Sequence, residues 1–414
     1  MLISRNPLDY LIPVFVILVF ATKLRLGTFP IGPGEIGLFL FVLVCFKGFV
    51  VDPIGSIKNC HSDVQMFWYI SGLSALIGLL FFHENSGLPY NYREIVAFLF
   101  SAILTFCFFQ LSWSKYNVSK ALESFGVLSC TTTAALFLAH AIIHTSQPML
   151  FTYGSGVRFS GLSQNPNQLA LLLSVAPFAF LVFVKSSLQA PVGWTKKAIF
   201  YSSFILTLTA GYFTYSSALL VAWLIGLLTL ILGYFLFKKS SEEIKIVKNF
   251  LLISFCCSLI LIFIFSFQLP LFKSDLSQPL ADIVSRNASS EMDSGFIRLA
   301  LLKNGFEAIL TSPFFGYGPG AYSGVVTPFE GSESHNSFID WTLCSGLIGG
   351  VALLFLITKV LHNLKSLGEI ELISCLIAMC TFAQFHYVFR QPMVWFLVFL
   401  LVSMSYCEDK REKP

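Results

Sequence analysis

The sequence predicts an all-α, polytopic membrane protein, and three observations lead there. Of 414 residues, 56% are hydrophobic and 12% charged, with a mean hydropathy of +0.77, which leaves too little polar surface for a set of soluble domains. The apolar residues fall into about twelve runs, each of roughly the length that crosses a bilayer as a helix. Basic residues are shared unequally between the alternating loops: with the N-terminus inside, 17 of the 26 lysines and arginines fall on the inner side.

The expected spans are 8–22, 33–50, 66–82, 95–113, 121–143, 167–184, 198–214, 218–237, 249–268, 337–358, 370–388 and 392–407. The first run, Tyr10 to Ala21, has the length of a signal peptide but lacks a small-residue cleavage site and is followed by Lys23 and Arg25. It therefore reads as a span. The whole chain, 1–414, reads as a single transmembrane domain with both termini cytoplasmic. The long loop 269–336 falls outside the cytoplasm and exceeds what a simple connection needs, so it is expected to carry function. The ten cysteines lie in or near the apolar runs, and none lies in this loop, so no disulfide framework is implied there.

Lysine and arginine do not divide alike. Fifteen of 18 lysines fall inside, whereas six of eight arginines (Arg25, Arg93, Arg158, Arg286, Arg298 and Arg390) fall outside. Holding a loop inside needs only charge, but a guanidinium offers a planar fork of donors that fits phosphate oxygens in pairs. An outer face selective for arginine points to an anionic, phosphorylated ligand. For any single arginine the alternative is anchoring to lipid headgroups.

Three stretches on that face carry candidate chemistry. In the long loop a short amphipathic helix is expected over about 294–310, capped by Ser294 and bounded by Pro313, with Leu299, Leu302, Phe306 and Ile309 as an apolar stripe. Arg298 sits off the stripe, on the side of Gly305; the alternative is a snorkelling interfacial arginine. Further on, Gly316-Tyr317-Gly318-Pro319-Gly320 and the polar run to Trp341 are not explained by apolar packing. His335 stands just before the next span, with Ser334 or Asn336 as its cap. A helix N-terminus disfavours imidazolium, so His335 is a candidate general base with Glu333 and Asn336 as orienting neighbours; the alternative is a polar residue at a helix start. The third stretch, Arg158 to Ala170, contains Asn165-Pro166-Asn167 at a helix start, and Arg158 can converge with Arg298 on one anion.

No metal or cofactor is expected, because the outer acids Asp275, Asp282, Glu291, Asp293, Glu330 and Glu333 show no ligand spacing with histidine. The net charge of +4 is spread over short loops, which argues for membrane lipids as surroundings and against nucleic acid. A solute transporter would place ionisable residues near mid-span and show repeated halves, and neither is visible. A non-catalytic scaffold of envelope assembly would have its outer arginines scattered.

In order, these pieces resemble the O-antigen ligase and O-antigen polymerase family of bacterial envelope proteins: Arg158 to Ala170, Arg298 with Ser312 to Gly320, and His335-Asn336-Ser337 leading into Asp340-Trp341 and Gly346 to Gly350. The resemblance spans roughly residues 150–360. It implies a GT-C-like helical architecture in the inner membrane and a metal-independent glycosyltransferase acting at the periplasmic face. The donor implied is an undecaprenyl-diphosphate-linked oligosaccharide; the acceptor is a glycan or lipid A-core. His335 and Arg298 would be catalytic, and Arg158, Arg286, Asn165, Asn167, Asn336, Gly318 and Gly320 would contact substrate. Many members carry Ser-Arg-Gly between the seventh and eighth spans, where this chain has Tyr215-Ser216-Ser217-Ala218. Either Arg158 or Arg286 would then stand in for that arginine, or the activity differs.

Overall fold

The computed structural model describes residues 8–25, 31–51, 61–86, 91–111, 115–143, 150–153, 158–189, 193–236, 241–268, 297–320 and 332–406. The helices among them are α1 (Leu8–Leu18), α2 (Pro33–Val51), α3 (Ser62–Ile77), α4 (Tyr92–Phe109), α5 (Lys115–Ile143), α6 (Pro166–Gln189), α7 (Trp194–Tyr212), α8 (Ser217–Leu236), α9 (Ser241–Gln268), α10 (297–311), α11 (Ser337–Leu367), α12 (Ile370–Ala383) and α13 (Pro392–Tyr406). Every one of the twelve expected spans coincides with one of these, and α10 coincides with the expected loop helix. Seven helical segments are long and apolar enough to cross a membrane by length and composition, and α12 and α13 are shorter apolar helices. This is a membrane protein.

The helix α6 forms the axis of the bundle, packing against α5, α12, α7 and α8, and its apolar window is 83% buried. On the other side α11 packs along α3, and α13 runs between α4, α5 and α11. Aromatic rings fill that junction: Trp68, Trp341 and Trp395 lie within 6.0 Å of one another, centroid to centroid, with Phe67 on their flank. Such rings prefer tilted and edge contacts, which fixes their mutual angles as well as their distances.

Four features depart from the sequence reading. The eleventh expected span ends at Ala383, and residues 384–391 form a turn, so polar residues read as part of a span lie in a loop. A two-residue antiparallel strand pair, β1 (Thr152–Tyr153) with β2 (Arg158–Phe159), interrupts an otherwise helical chain. The helix α3 continues through a π-helical turn, Gly78–Phe82. Finally, only half of the expected stripe of α10 packs: Leu302 and Ile309 lie part-buried against the cluster of Ala308, Tyr317, Ile339 and Leu343, Leu299 and Phe306 are exposed, and Leu301, Asn304, Gly305 and Ala308 are buried. Where the surroundings are lipid, an apolar stripe does not distinguish the side facing the bundle from the side facing outward. Small residues mark the close contact, and Gly305 sits against Ile339 and Ser334.

The glycine-rich stretch is built into the bundle by an exchange of backbone hydrogen bonds. At Gly346, φ is 64°, and α11 opens there. Its carbonyls at Leu343 and Cys344 accept from the N–H groups of Tyr317 (2.8 Å) and Gly318 (3.0 Å), and the Leu347 N–H donates to Pro313 O (2.7 Å). A Cβ on Gly346 would lie 1.9 Å from Phe314 O. The loop thus supplies the partners that the opened helix lacks. The π turn lies against the same loop, with His83 Nδ1 3.0 Å from Tyr317 O.

Polar contacts sort into two ends. At one, Lys185 pairs with Glu369 (3.3 Å), Tyr234 donates to Glu371 (2.7 Å), and Tyr406 bonds Asp63; every one of these segments was expected inside. At the other end meet the segments expected outside, including those bearing Arg158, Arg298, His335 and Arg390. Gly346→Ala is expected to destabilise the protein by at least roughly 1–3 kcal/mol, from backbone strain and the clash together. Gly72→Ala, with open space at its Cβ, is the matched control and should melt like the parent in a detergent thermal scan. Equal melting of both variants would contradict the helix-opening exchange.

Candidate functional site

The element carrying Arg158 is held by a lysine. Lys23 Nζ donates to Leu150 O (2.9 Å), Thr152 O (3.0 Å), Ser160 Oγ (3.0 Å) and Gly161 O (3.3 Å), fastening both arms of the strand pair to the end of α1. The Phe159 N–H donates to Phe213 O (2.8 Å), which fixes β2 against the α7–α8 turn. Arg158 Nε then donates to Thr214 O (2.9 Å) and its Nη2 to Asn167 Oδ1 (3.1 Å). Asn165 caps: its Oδ1 accepts from the Asn167 N–H at 2.8 Å. Both acceptors on Arg158 are neutral, so its charge is oriented without being cancelled.

His335 is held by its neighbours on either side. The Ser334 N–H donates to the buried Asp340 (2.9 Å), and Asn336 caps α11, its Oδ1 accepting from the Phe338 (3.0 Å) and Ile339 (3.3 Å) N–H groups. Between these anchors His335 adopts φ 56°, a left-handed backbone uncommon for residues other than glycine, though histidine takes it more often than most. Strain of this kind persists where surroundings over-determine it, and it clusters at functional positions. Asn336 Nδ2 also donates to Gln384 Oε1 (2.9 Å), Ser337 Oγ to His386 O (2.5 Å), and the Val388 N–H to Ser337 Oγ (2.8 Å). The start of α11 and the 384–391 turn are therefore stitched together, with the His335 and His386 rings nearly perpendicular and 6.2 Å apart.

Four cationic or imidazole groups share one electrostatic neighbourhood. Burial lowers the His335 pKa below the ordinary histidine value; Arg298 and Arg390 add to this and Glu333 opposes it. His386 is lowered further, to about 3, by burial and then by Arg298, His335 and Arg158. Burial also lowers Arg158, with Arg298 adding to it and Tyr153 opposing. For His335 the first cause of the lowered pKa is burial, where the sequence pointed to the helix end.

The arginines expected outside have different fates. Arg25 pairs with Glu35 at 2.5 Å, and Arg390 is gripped by Glu333 (2.6 Å) and Glu94 (3.0 Å). Among the described residues no carboxylate pairs with Arg158 or Arg298, the two arginines whose charge acts on His386; Arg93 lies exposed. Arg286 lies outside the described residues. Gly318 and Gly320 are explained by close packing, since a Cβ would lie 2.7 Å from Leu79 Cβ and 2.6 Å from Asn91 Cβ respectively. Asn165 and Asn336 serve as caps, and Asn167 as the bracket of Arg158. His386 was missed because the apolar run was read through to 388; the clue was the polar density of Gln384, His386, Arg390 and Gln391 between two apolar runs.

The Glu94–Arg390–Glu333 bridge ties α4 and the His335 loop to the 384–391 turn, so Arg390→Met leaves two carboxylates unpaired. The expected loss is roughly 1–3 kcal/mol in thermal stability. Adding Glu94→Gln to Arg390→Met should recover part of that loss. A double variant no more stable than the single one would remove Glu94 from the bridge.

Comparison with known protein families gives a match of residues 202–354 to the model of a family described as O-Antigen ligase. The matched stretch runs from α7 through α8, α9, α10 and the glycine-rich loop to the first half of α11, and so includes Arg298 and His335. Arg158, His386 and Arg390 fall outside it. No curated protein matches the chain in a direct comparison. Over the segment that bears the opened helix and the His335 loop, this membrane protein is therefore similar to the O-Antigen ligase family.

Proposed function

We propose that the protein is a metal-independent glycosyltransferase of the bacterial inner membrane that takes glycan from an undecaprenyl-diphosphate-linked donor at the periplasmic face. In this reading all twelve bundle helices cross the membrane, as in a GT-C-like architecture, and the loops bearing Arg158, Arg298 and His335 face the periplasm. The observation that carries it is that Arg158 and Arg298, unpaired with any carboxylate among the described residues, act electrostatically on each other and on His386, whose ring stands 6.2 Å from that of His335.

Arg298 and Arg158 hold the diphosphate of the donor, with Arg286 as a further candidate. Guanidinium donors stabilise the charge that grows on the phosphate as the bond between the sugar C1 and the phosphate oxygen breaks. The acceptor hydroxyl oxygen forms the new bond to C1, and its proton passes to His335, whose neutral form is the competent base. Undecaprenyl diphosphate leaves. Asn167 acts through Arg158, Asn336 and Asn165 through the helix starts they cap, and Gly318 and Gly320 through the loop they shape. Convergence of these groups also speaks against a scaffold with scattered arginines, and the sorting of polar contacts to two ends speaks against a transporter.

Arg298→Ala and His335→Ala are expected to abolish surface polysaccharide while the protein still inserts at parental levels. Purified protein incubated with lipid-linked donor, with and without lipid A-core, separates the two activities: growth of the chain without added core means polymerase, and transfer only to core means ligase. Parental polymer in both variants would end the glycosyltransferase reading.

The pH profile follows from the sign of the His335 shift. The neutral ring is the active form, and a lowered pKa keeps it neutral to lower pH. The acid limb of kcat/KM, which reports the free enzyme, should therefore lie below the ordinary histidine value of about 6.5. A limb at or above that value would exclude His335 as the group that titrates.

A further inference from the structure

The 384–391 turn brings to this site an imidazole that neither the family match nor the sequence reading covers. His386 lies on Phe382, ring centroids 4.9 Å apart and nearly parallel, and stands edge-on to His335. Its backbone is pinned by the bond from Ser337 Oγ to its carbonyl and by the neighbouring bond from the Val388 N–H to Ser337 Oγ. Stack and stitch together fix where the ring can point. Its ring nitrogens have no hydrogen-bond partner among the described residues.

We propose that His386 is a further donor-binding residue, its ring N–H bonding a phosphate oxygen of the lipid-linked diphosphate held by Arg158 and Arg298. This rests on the reading of the site given above. The titratable and charged groups that act on the ring are Arg298 from α10, His335 from the loop before α11 and Arg158 from β2, with no carboxylate among them. A proton on the free ring would add positive charge to that group, so the ring waits uncharged, with one N–H to give and one lone pair to receive. An incoming diphosphate reverses the balance: it supplies acceptor oxygens, and its negative charge favours donation from the ring. A ring placed only to pack on Phe382 would gain nothing from nitrogen at all.

Two replacements separate these roles. His386→Phe keeps the aromatic stack and removes the N–H; His386→Gln removes the stack and keeps an N–H donor. Binding of farnesyl diphosphate to the detergent-solubilised protein, with KM for the lipid-linked donor measured beside it, gives the readout. His386→Phe is expected to weaken both by about tenfold with kcat changed less than threefold, whereas His386→Gln stays within about threefold of the parent. The reverse pattern, Phe tolerated and Gln impaired, overturns the proposal in favour of packing. Should the Phe variant fail to insert, His386→Met provides the same loss of donor. Arg298→Ala serves as the reference: if it loses the diphosphate and His386→Phe does not, the His386 proposal alone falls. If neither variant loses it, the diphosphate reading of the whole site falls with it.

Discussion

Two guanidinium groups with no carboxylate paired to them among the described residues, gathered with two imidazoles, form an arrangement that the isolated chain would avoid. Like charges repel, and burial further penalises the charged forms of Arg158, His335 and His386. The arrangement persists because three of its members, Arg158, His335 and His386, are fixed from outside the group. Arg158 is oriented by a carbonyl and an amide rather than by an acid, His335 is bent into a left-handed backbone between two anchored neighbours, and His386 is carried by a stitched turn. Acids are available nearby, but Arg390 engages Glu94 and Glu333, and Arg25 engages Glu35. The fold thus separates arginines that are neutralised and structural from arginines whose charge is kept for something else.

Keeping that charge in place requires a rigid floor, and the glycine-rich loop provides one. An opened helix normally leaves carbonyls and N–H groups without partners, which is costly wherever water is scarce. Here the loop 313–318 satisfies the α11 groups on both sides of Gly346, and α10, which carries Arg298, runs directly into that loop. The last turn of α10 is tied to the same structure, since Tyr317 Oη donates to Ala308 O at 3.1 Å. Arg298 and His335 are therefore both referenced to the start of α11: one through the loop and the packing of Gly305 on Ser334 and Ile339, the other through the Asn336 cap.

The helices were legible from hydropathy because a span has to satisfy its own backbone, and little else can be built from so long an apolar run. The chemical difference between lysine and arginine was legible too, since it singled out Arg158 and Arg298 as candidates before any contact was known. What composition could not tell was which arginines are paired. Arg390 and Arg298 look alike in the sequence, and only the approach of Glu333 and of Glu94, the latter more than two hundred residues away in the chain, separates them. The stripe of α10 misled for a related reason: Leu299 and Phe306 are as apolar as a packing face would be, yet they point away from the bundle. His386 was hidden by the same effect, since Phe385, Tyr387, Val388 and Phe389 around it continue the apolar run past the end of the helix.

The departure at Tyr215-Ser216-Ser217-Ala218 becomes intelligible once Arg158 is seen in place. The resemblance would have an arginine enter from the chain at the α7–α8 turn itself, whereas here the turn has none of its own. Arg158 Nε bonds the carbonyl of Thr214, one residue before that stretch, and the Phe159 N–H bonds Phe213 O beside it. A guanidinium therefore lies at the α7–α8 turn after all, delivered by β2 instead of by α8. Electrostatic stabilisation of a phosphate depends on where the charge sits relative to the oxygens, and is indifferent to the path of the chain that brings it. Delivery from a strand pair has its own requirement, because a two-residue ladder cannot hold a charged side chain steady by itself. That requirement gives Lys23 its place: four neutral acceptors converge on its Nζ, and they bind both arms of the pair to the first helix.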